Sequence, residues 1–271
     1  MNEAKQAGSA HPWNWLLLPF SAVVAGQDAV YAASAGYGIY RLADGGGWEK
    51  LPAAGLDKAA VNRLAISGNT LAACTDRGLF YYRQNLWAAS PLAIPCYRYR
   101  LFKSGAYAAT EYGLWYSGDG NWHPIACQER KVYDFIHLPH YLVIAHDNGI
   151  SVYDRFAGEW AEFPLPVAVT SLSVYRGHIV GSCETGELVV GNKRGGFELI
   201  RIPGRFVFSV TDKGGDVYAC TDRGLYRLGW LQRQISLFSV RLGFPVTDIE
   251  KKDGELLMAT LFQGVQSMPA P

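Results

Sequence analysis

Six polar residues recur at one offset along the 271-residue chain: Arg63, Arg98, Asp134, Ser171, Ser209 and Asp248, with Val23 as the apolar exception. Brought to a common axis, two guanidiniums, two carboxylates and two hydroxyls make a mixed-charge mouth that could hold a ligand or peptide. The alternative is a hydrated channel in which the charged members satisfy one another. A second series stands directly before a recurrent glycine and contains Tyr37, Arg77, Tyr112 and Arg223. Tyrosine and arginine are enriched at the energetic centres of binding surfaces. Asp76, Glu111, Asp147, Glu184 and Asp222 precede that second series. Carboxylates suit turn starts because they accept local backbone N–H groups, so a structural role is expected for them.

Other chemistries find little to work with. His137, His140 and His146 lie close in sequence. His140 falls in a turn at one end of a strand and His146 at the other, roughly 17–20 Å apart at about 3.3 Å per residue. Ligands of one metal ion must all lie about 2 Å from it, so no metal site is expected. Cys74, Cys96, Cys127, Cys183 and Cys220 are odd in number and widely spaced, without a C-x-x-C pair. They read as small core residues suited to a reducing compartment. The chain has no G-x-S-x-G elbow, phosphate-cradling glycine loop or H-E-x-x-H, so neither a catalytic residue nor a cofactor is assigned. Carboxylates on separate blades, such as Asp134 and Asp248 across the channel mouth, could serve as an acid–base pair.

The elements that must position these residues come in seven copies. Leu71–Tyr82 (LAACTDRGLFYY) returns nearly intact at Val217–Leu228 (VYACTDRGLYRL), with weaker copies around them. The glycines opening the third strand are Gly38, Gly78, Gly113, Gly149, Gly186, Gly224 and Gly264, separated by 40, 35, 36, 37, 38 and 40 residues. A period of that length, dense in Val, Ile, Tyr, Phe and Thr and without a helical pattern, predicts an all-β, seven-bladed β-propeller of four-stranded antiparallel blades. Strand A of each unit lines the channel, and strand B is a run of small residues that lets neighbouring blades pack closely. The glycine after strand B is expected at positive φ. Strand D carries Trp48, Trp87, Trp122, Trp160 or Phe197, and the sixth unit has no clean equivalent.

The seventh unit ends seven residues past Gly264, too short for a strand D, while Trp15–Pro19 has the form of Trp48–Pro52. The expectation is therefore a tail over residues 1–12 and one propeller over 13–271, closed by Trp15–Pro19 pairing with Gly264–Met268. Closure would remove an open sheet edge. The A-x-T-x-x-G-L-[FYW] core at Ala73–Phe80, with related segments at Ala109–Trp115 and Ala219–Tyr226, resembles the repeat of two-component-regulator-type propellers. Ser117–Trp122 resembles a shortened Asp-box turn of the sialidase and photosystem-assembly-factor type. The resemblance implies the fold and carries over no glycosidase chemistry.

A net charge of +1 without a run of like charges argues against a nucleic-acid surface. No segment reaches the about 18 unbroken apolar residues of a membrane span. The apolar run Trp15–Ala25 after Lys5 has features of a signal peptide, but Trp13-Asn14 and Pro19 interrupt it, and a retained N-terminus is expected. The reading from sequence is a cytoplasmic, non-catalytic module that binds another protein or peptide, or a small polar ligand, on the face of the D–A and B–C loops. The rival classes are a propeller hydrolase or lyase on a sugar or small polar substrate, and a lectin using Tyr37, Tyr112 or Trp115.

Overall fold

The computed structural model describes residues 19–43, 46–56, 59–192, 194–232 and 234–271. Among them run 27 strands, β1 to β27, and no helix. They form seven antiparallel sheets in chain order, such as β5 (Val61–Ser67), β6 (Thr70–Thr75), β7 (Gly78–Arg83) and β8 (Leu86–Ala89). The fold is a seven-bladed β-propeller with four-stranded antiparallel blades. The seventh blade shows three strands among the described residues, β25 (Val246–Lys252), β26 (Glu255–Thr260) and β27 (Val265–Pro269).

The first strand of each blade lies at the axis and touches the first strands of its neighbours. After β5 and β25 these inner strands are β1 (Phe20–Ala25), β9 (Cys96–Phe102), β13 (Val132–His137), β17 (Val169–Tyr175) and β21 (Val207–Lys213). All seven carry a register shift between their first and third residues, as between Val61 and Arg63 or Val132 and Asp134. A bulge bends and twists a strand locally and re-aims its side chains, and here it falls immediately before the polar series that includes Arg63 and Asp134.

The core is divided among the spaces between blades. Each of seven apolar clusters draws residues from two adjacent blades. The small residues of strand B make this close stacking possible: Ala72, Ala73 and Cys74, and likewise Ala108, Ala109, Ala219 and Cys220, are fully buried. One cluster joins Leu257, Ala259 and Val265 of the last blade to Phe20, Val23, Val30 and Ala32 of the first. Across the same seam the Thr247 hydroxyl donates to the Phe20 carbonyl at 2.7 Å. Among the described residues the ring therefore closes through side-chain packing and two hydrogen bonds with side chains, the second from the Val23 N–H to Asp248 at 3.2 Å. The expected closing strand at Trp15–Pro19 lies outside the described residues except for Pro19. That residue's carbonyl accepts from the Ala35 N–H at 3.0 Å and the Ser34 hydroxyl at 3.0 Å, both in the first blade.

One assignment changes on the structure, and one left open is filled. The equivalent of Arg63 in the first blade is Ala22 rather than Val23, because Ala22 pairs with Ala33 as Arg63 pairs with Cys74. The turn before Gly38 has one residue more than the turn before Gly78, which displaces a count made back from the glycine. The sixth blade's outer hairpin is longer than the others, with β23 at Gly224–Leu231 and β24 at Gln234–Leu242, so Trp230 belongs to the third strand. Gly229 leaves room there for the Phe238 ring, which a Cβ would meet at 2.1 Å.

The seven recurrent glycines all have positive φ, from 68° to 143°. Four have a further constraint: a Cβ would meet a fourth-strand carbonyl at 2.3 Å at Gly149, 2.5 Å at Gly113 and 2.1 Å at Gly224, and at Gly78 the carbonyl of Leu92, in the loop after the fourth strand, at 2.3 Å. Gly36 also has positive φ, at 77°, but nothing lies within 4 Å of its added Cβ. Gly36→Ala is expected to cost about 1 kcal/mol, the strain of a left-handed residue alone, and Gly224→Ala about 3 kcal/mol or more because the outer strand must also move. Equal costs in chemical denaturation would show that the packed carbonyl has no part in the requirement.

Candidate functional site

The face bearing the D–A and B–C loops is built from one repeated turn. In four blades a threonine ends strand B and donates its hydroxyl to the recurrent glycine's carbonyl: Thr75 to Gly78, Thr110 to Gly113 and Thr221 to Gly224 at 2.8 Å, and Thr260 to Gly264 at 2.7 Å. The same hydroxyls accept from the N–H of Arg77, Tyr112, Arg223 and Gln263. The exposed residue of each turn is thus held by its own backbone.

The turn carboxylates clasp the preceding loop. Asp76 accepts from the Ala60 N–H at 2.8 Å, Asp147 from Lys131 at 3.3 Å, Glu184 from Ala168 at 3.2 Å and Asp222 from Phe206 at 2.8 Å. In three blades the partner position is proline, which has no N–H to offer. Opposite Pro19 and Pro245 the turn residue is Ala35 or Leu261, and opposite Pro95 it is Glu111. Glu111 instead accepts from the Tyr97 hydroxyl and pairs with Lys131 at 3.0 Å. The acidic series expected to be structural is therefore occupied in positioning the rim, while Tyr37, Arg77, Tyr112 and Arg223 are exposed. Phe206, Leu242 and Phe262 are exposed on the same face.

Inside the ring the polar series forms contacts between blades. Asp134 accepts the Leu172 N–H of the next blade at 3.0 Å, Ser171 accepts the Val210 N–H at 2.8 Å, and Asp248 accepts the Val23 N–H at 3.2 Å. Ser209 donates to the Thr247 carbonyl at 3.2 Å. Arg63 reaches Asp248 at 3.3 Å, whereas Arg98 and Arg100 both reach one oxygen of Asp134, at 3.5 and 3.0 Å. Arg100 was missed in the sequence because it lies two residues beyond the recurrent position. Burial opposes ionisation of Asp134, but the guanidiniums of Arg98, Arg100 and Arg63 outweigh it and hold the carboxyl below its usual range. Burial would likewise lower Arg63, yet Asp248 and Asp134 raise it. Arg98 goes the other way: burial, followed by the charge of Arg63, pushes it down to about 9.

A serine–histidine–carboxylate group absent from the sequence reading sits under the fourth blade's turn. His146 and Ser151 are fully buried. His146 Nε2 lies 2.9 Å from Ser151 Oγ, which donates to Glu162 at 2.9 Å; Arg130 also donates to Glu162, at 3.2 Å. The proton order opposes nucleophilic catalysis. His146 Nδ1 accepts the Asn148 N–H at 3.1 Å, so the neutral ring carries its proton on Nε2 and donates to the serine. A general base would have to accept there. His146 occupies the place of Thr75, Thr110 and Thr221 and performs the accepting half of their task, taking the Asn148 N–H as they take those of Arg77, Tyr112 and Arg223. The two histidines near it in sequence are engaged elsewhere, His140 stacked on Phe156 at 4.5 Å and His137 on Phe102 at 4.8 Å. No group of three or more metal-ligating side chains occurs among the described residues.

The opposite face holds a cavity of about 520 Å³ between the fourth and fifth blades, lined by Tyr141, Trp160, Phe197, His178 and Asn192 among others. Gly191 opens it by standing where Tyr153 and Tyr82 stand in their blades, as the strand pairings show. The eight residues selected from sequence lie away from this cavity, on the channel and the other face.

No protein-family model matches the chain, and no curated protein matches it. Solved structures do. The extracellular domain of the one-component system BT4673 from B. thetaiotaomicron is 17% identical with a TM-score of 0.74, over 92% of this chain and 38% of that one. This chain thus spans well under half the length of that neighbour. A catalytically inactive virginiamycin B lyase from Staphylococcus aureus, with quinupristin, is 12% identical with a TM-score of 0.72, covering 96% of this chain and 97% of that one. YCF48 bound to D1 peptide is 12% identical with a TM-score of 0.67, over 94% of both chains. These similarities establish the shared propeller fold.

Burial, with Arg130 beside it, pushes His146 down to about 4. Above pH 6.5 the ring is neutral in both folded and unfolded chains and contributes no slope. As pH falls from about 6.5 to about 4 the unfolded chain takes up the proton first, and stability drops by up to about 3 kcal/mol. His137 is also lowered by burial and adds to the same window. His146→Asn, which keeps an acceptor for Asn148, is expected to flatten the pH 4.5–6.5 slope in denaturation experiments relative to wild type. Parallel slopes would mean that His146 titrates normally.

Proposed function

We propose that the propeller is a non-catalytic binding module that takes a protein segment or peptide on the face of the D–A and B–C loops. The observation that carries this reading is a set of exposed aromatic and guanidinium side chains mounted on hydrogen-bonded turns, fastened by a threonine hydroxyl beneath Arg77, Tyr112, Arg223 and Phe262 and by the Ser34 carbonyl beneath Tyr37. Tyr37 is 54% exposed, Tyr112 58% and Phe262 67%, yet the backbone beneath them is hydrogen-bonded. Side chains of this kind contribute large contact area, and a pre-organised backbone lowers the ordering cost of binding. The peptide-bound neighbour YCF48 supports the choice of ligand class.

A propeller lyase is the rival reading, favoured by the neighbour from Staphylococcus aureus. Against it, the two carboxylates that could form an acid–base pair each accept a backbone N–H and a guanidinium contact. For Asp134 this engagement holds the carboxyl below its usual range, whereas a general acid must hold a proton near neutral pH. The five thiols are free, four of them buried, and favour a reducing compartment. The BT4673 neighbour is an extracellular domain, and the proposed binding face serves in either setting.

Replacing Arg77, Tyr112 and Arg223 together by alanine tests the surface. Peptides selected from a random displayed library on the wild-type protein are expected to lose about 100-fold or more in affinity for the triple variant. Its melting temperature is expected to stay within about 3 °C, because exposed side chains away from caps contribute little to stability. Equal affinity for both proteins would move binding off this face.

A further inference from the structure

The inner wall of the channel has more positive charge than its partners neutralise. Arg63, Arg98 and Arg100 face two carboxylates, Asp134 and Asp248. Those carboxylates also serve the backbone: Asp134 accepts the Leu172 and Phe135 N–H groups, and Asp248 accepts that of Val23. Lower in the channel Lys213 and Glu250 pair with each other at 2.9 Å, which leaves the upper imbalance uncorrected. The recurrent residues of the fifth and sixth blades, Ser171 and Ser209, are uncharged, and their hydroxyls bond to the backbone of the following blades.

The donors are also under-used. Arg98 makes only the 3.5 Å approach of Nε to Asp134, and its two Nη groups have no hydrogen-bond partner among the described residues. Arg100 Nε is buried without a partner. Arg98 and Arg63 are only 22% and 19% exposed at the side chain, so water screens them poorly. A low-dielectric ring of fixed guanidiniums concentrates an anion, and guanidinium forks match oxyanion geometry.

We propose that the upper channel is an anion site in which Arg63, Arg98 and Arg100 hold a small free oxyanion of the sulfate or phosphate class. Arg98 is the decisive residue, because its removal leaves Arg63 with Asp248 and Arg100 with Asp134, a balanced pair of ion pairs. The site needs no macromolecule and stands apart from the rim, so it is testable whether or not a peptide docks above it.

The experiment is calorimetric titration of the full chain with sodium sulfate and, separately, inorganic phosphate, at an ionic strength held constant with sodium chloride. Wild-type protein is expected to give a saturable isotherm with one site. Arg98→Met, or Arg98→Gln should the first variant fold poorly, is expected to bind about tenfold or more weakly. Arg223→Met, on the rim, is expected to bind as wild type. Sulfate raises melting temperatures generally by exclusion from protein surfaces, so thermal shifts count only as the difference between wild type and the Arg98 variant. In buffer free of both oxyanions the Arg98 variant is expected to melt at or above the wild-type temperature. Absence of a saturable isotherm in wild type, an unchanged isotherm in the Arg98 variants, or loss at Arg223→Met to the same extent would each overturn the proposal.

Discussion

No blade of this protein can bury its own surfaces. A single twisted four-stranded sheet leaves both faces to be covered, and here each face is covered only by the next blade. The ring must therefore return on itself, or two faces and an edge stand open. The Phe20–Leu257 seam is where that requirement is met, through an apolar cluster and the Thr247–Phe20 hydrogen bond. The polar residues of the channel share in the same task. Asp134, Ser171 and Asp248 each cap a backbone N–H on the following blade, so the side chains nearest the axis also hold neighbouring blades in register.

This double duty explains why the channel is a poor place for acid–base chemistry and a good one for fixed charge. Asp134, tied to backbone amides and guanidiniums, is held below the usual carboxylate range. The arginines occupy blades two and three, where the caps of blades four, five and seven have no counterpart, and they reach across to the carboxylates of other blades. The rim works differently. Its carboxylates fasten loops, its threonines fasten turns, and what remains exposed is a set of tyrosine, arginine and phenylalanine side chains on a rigid ring.

Much of this was legible in the residues. The seven glycines marked positive φ because a turn leaving a strand of this kind needs it, and the small residues of strand B marked close stacking. The acidic turn residues are structural as expected, but by another route than local acceptance: they take N–H groups of the preceding loop, a partner the turn sequence does not name. Other features depend on one-residue differences or on distant partners that a repeat alignment does not contain. Ala22 replaced Val23 as the first blade's inward residue because one turn is longer. Arg100 and Glu162 became neighbours of Asp134 and Ser151 only once strands were paired. Gly191 gave no signal as a missing tyrosine until the register of β19 (Leu188–Gly191) was known. The proposed N-terminal closing strand falls outside the described residues, whereas the seam itself is closed by side chains.

Amide hydrogen exchange tests the closed ring most directly, by comparing the Val23 amide at the seam with those of Leu172 and Val210, all three capped by a neighbouring blade's side chain. If the seam is as firm as any other junction, the three amides exchange with the same opening free energy, that of global unfolding. Exchange at Val23 through an opening several kcal/mol easier than at the other two would contradict it and describe instead an arc of blades with a loose end.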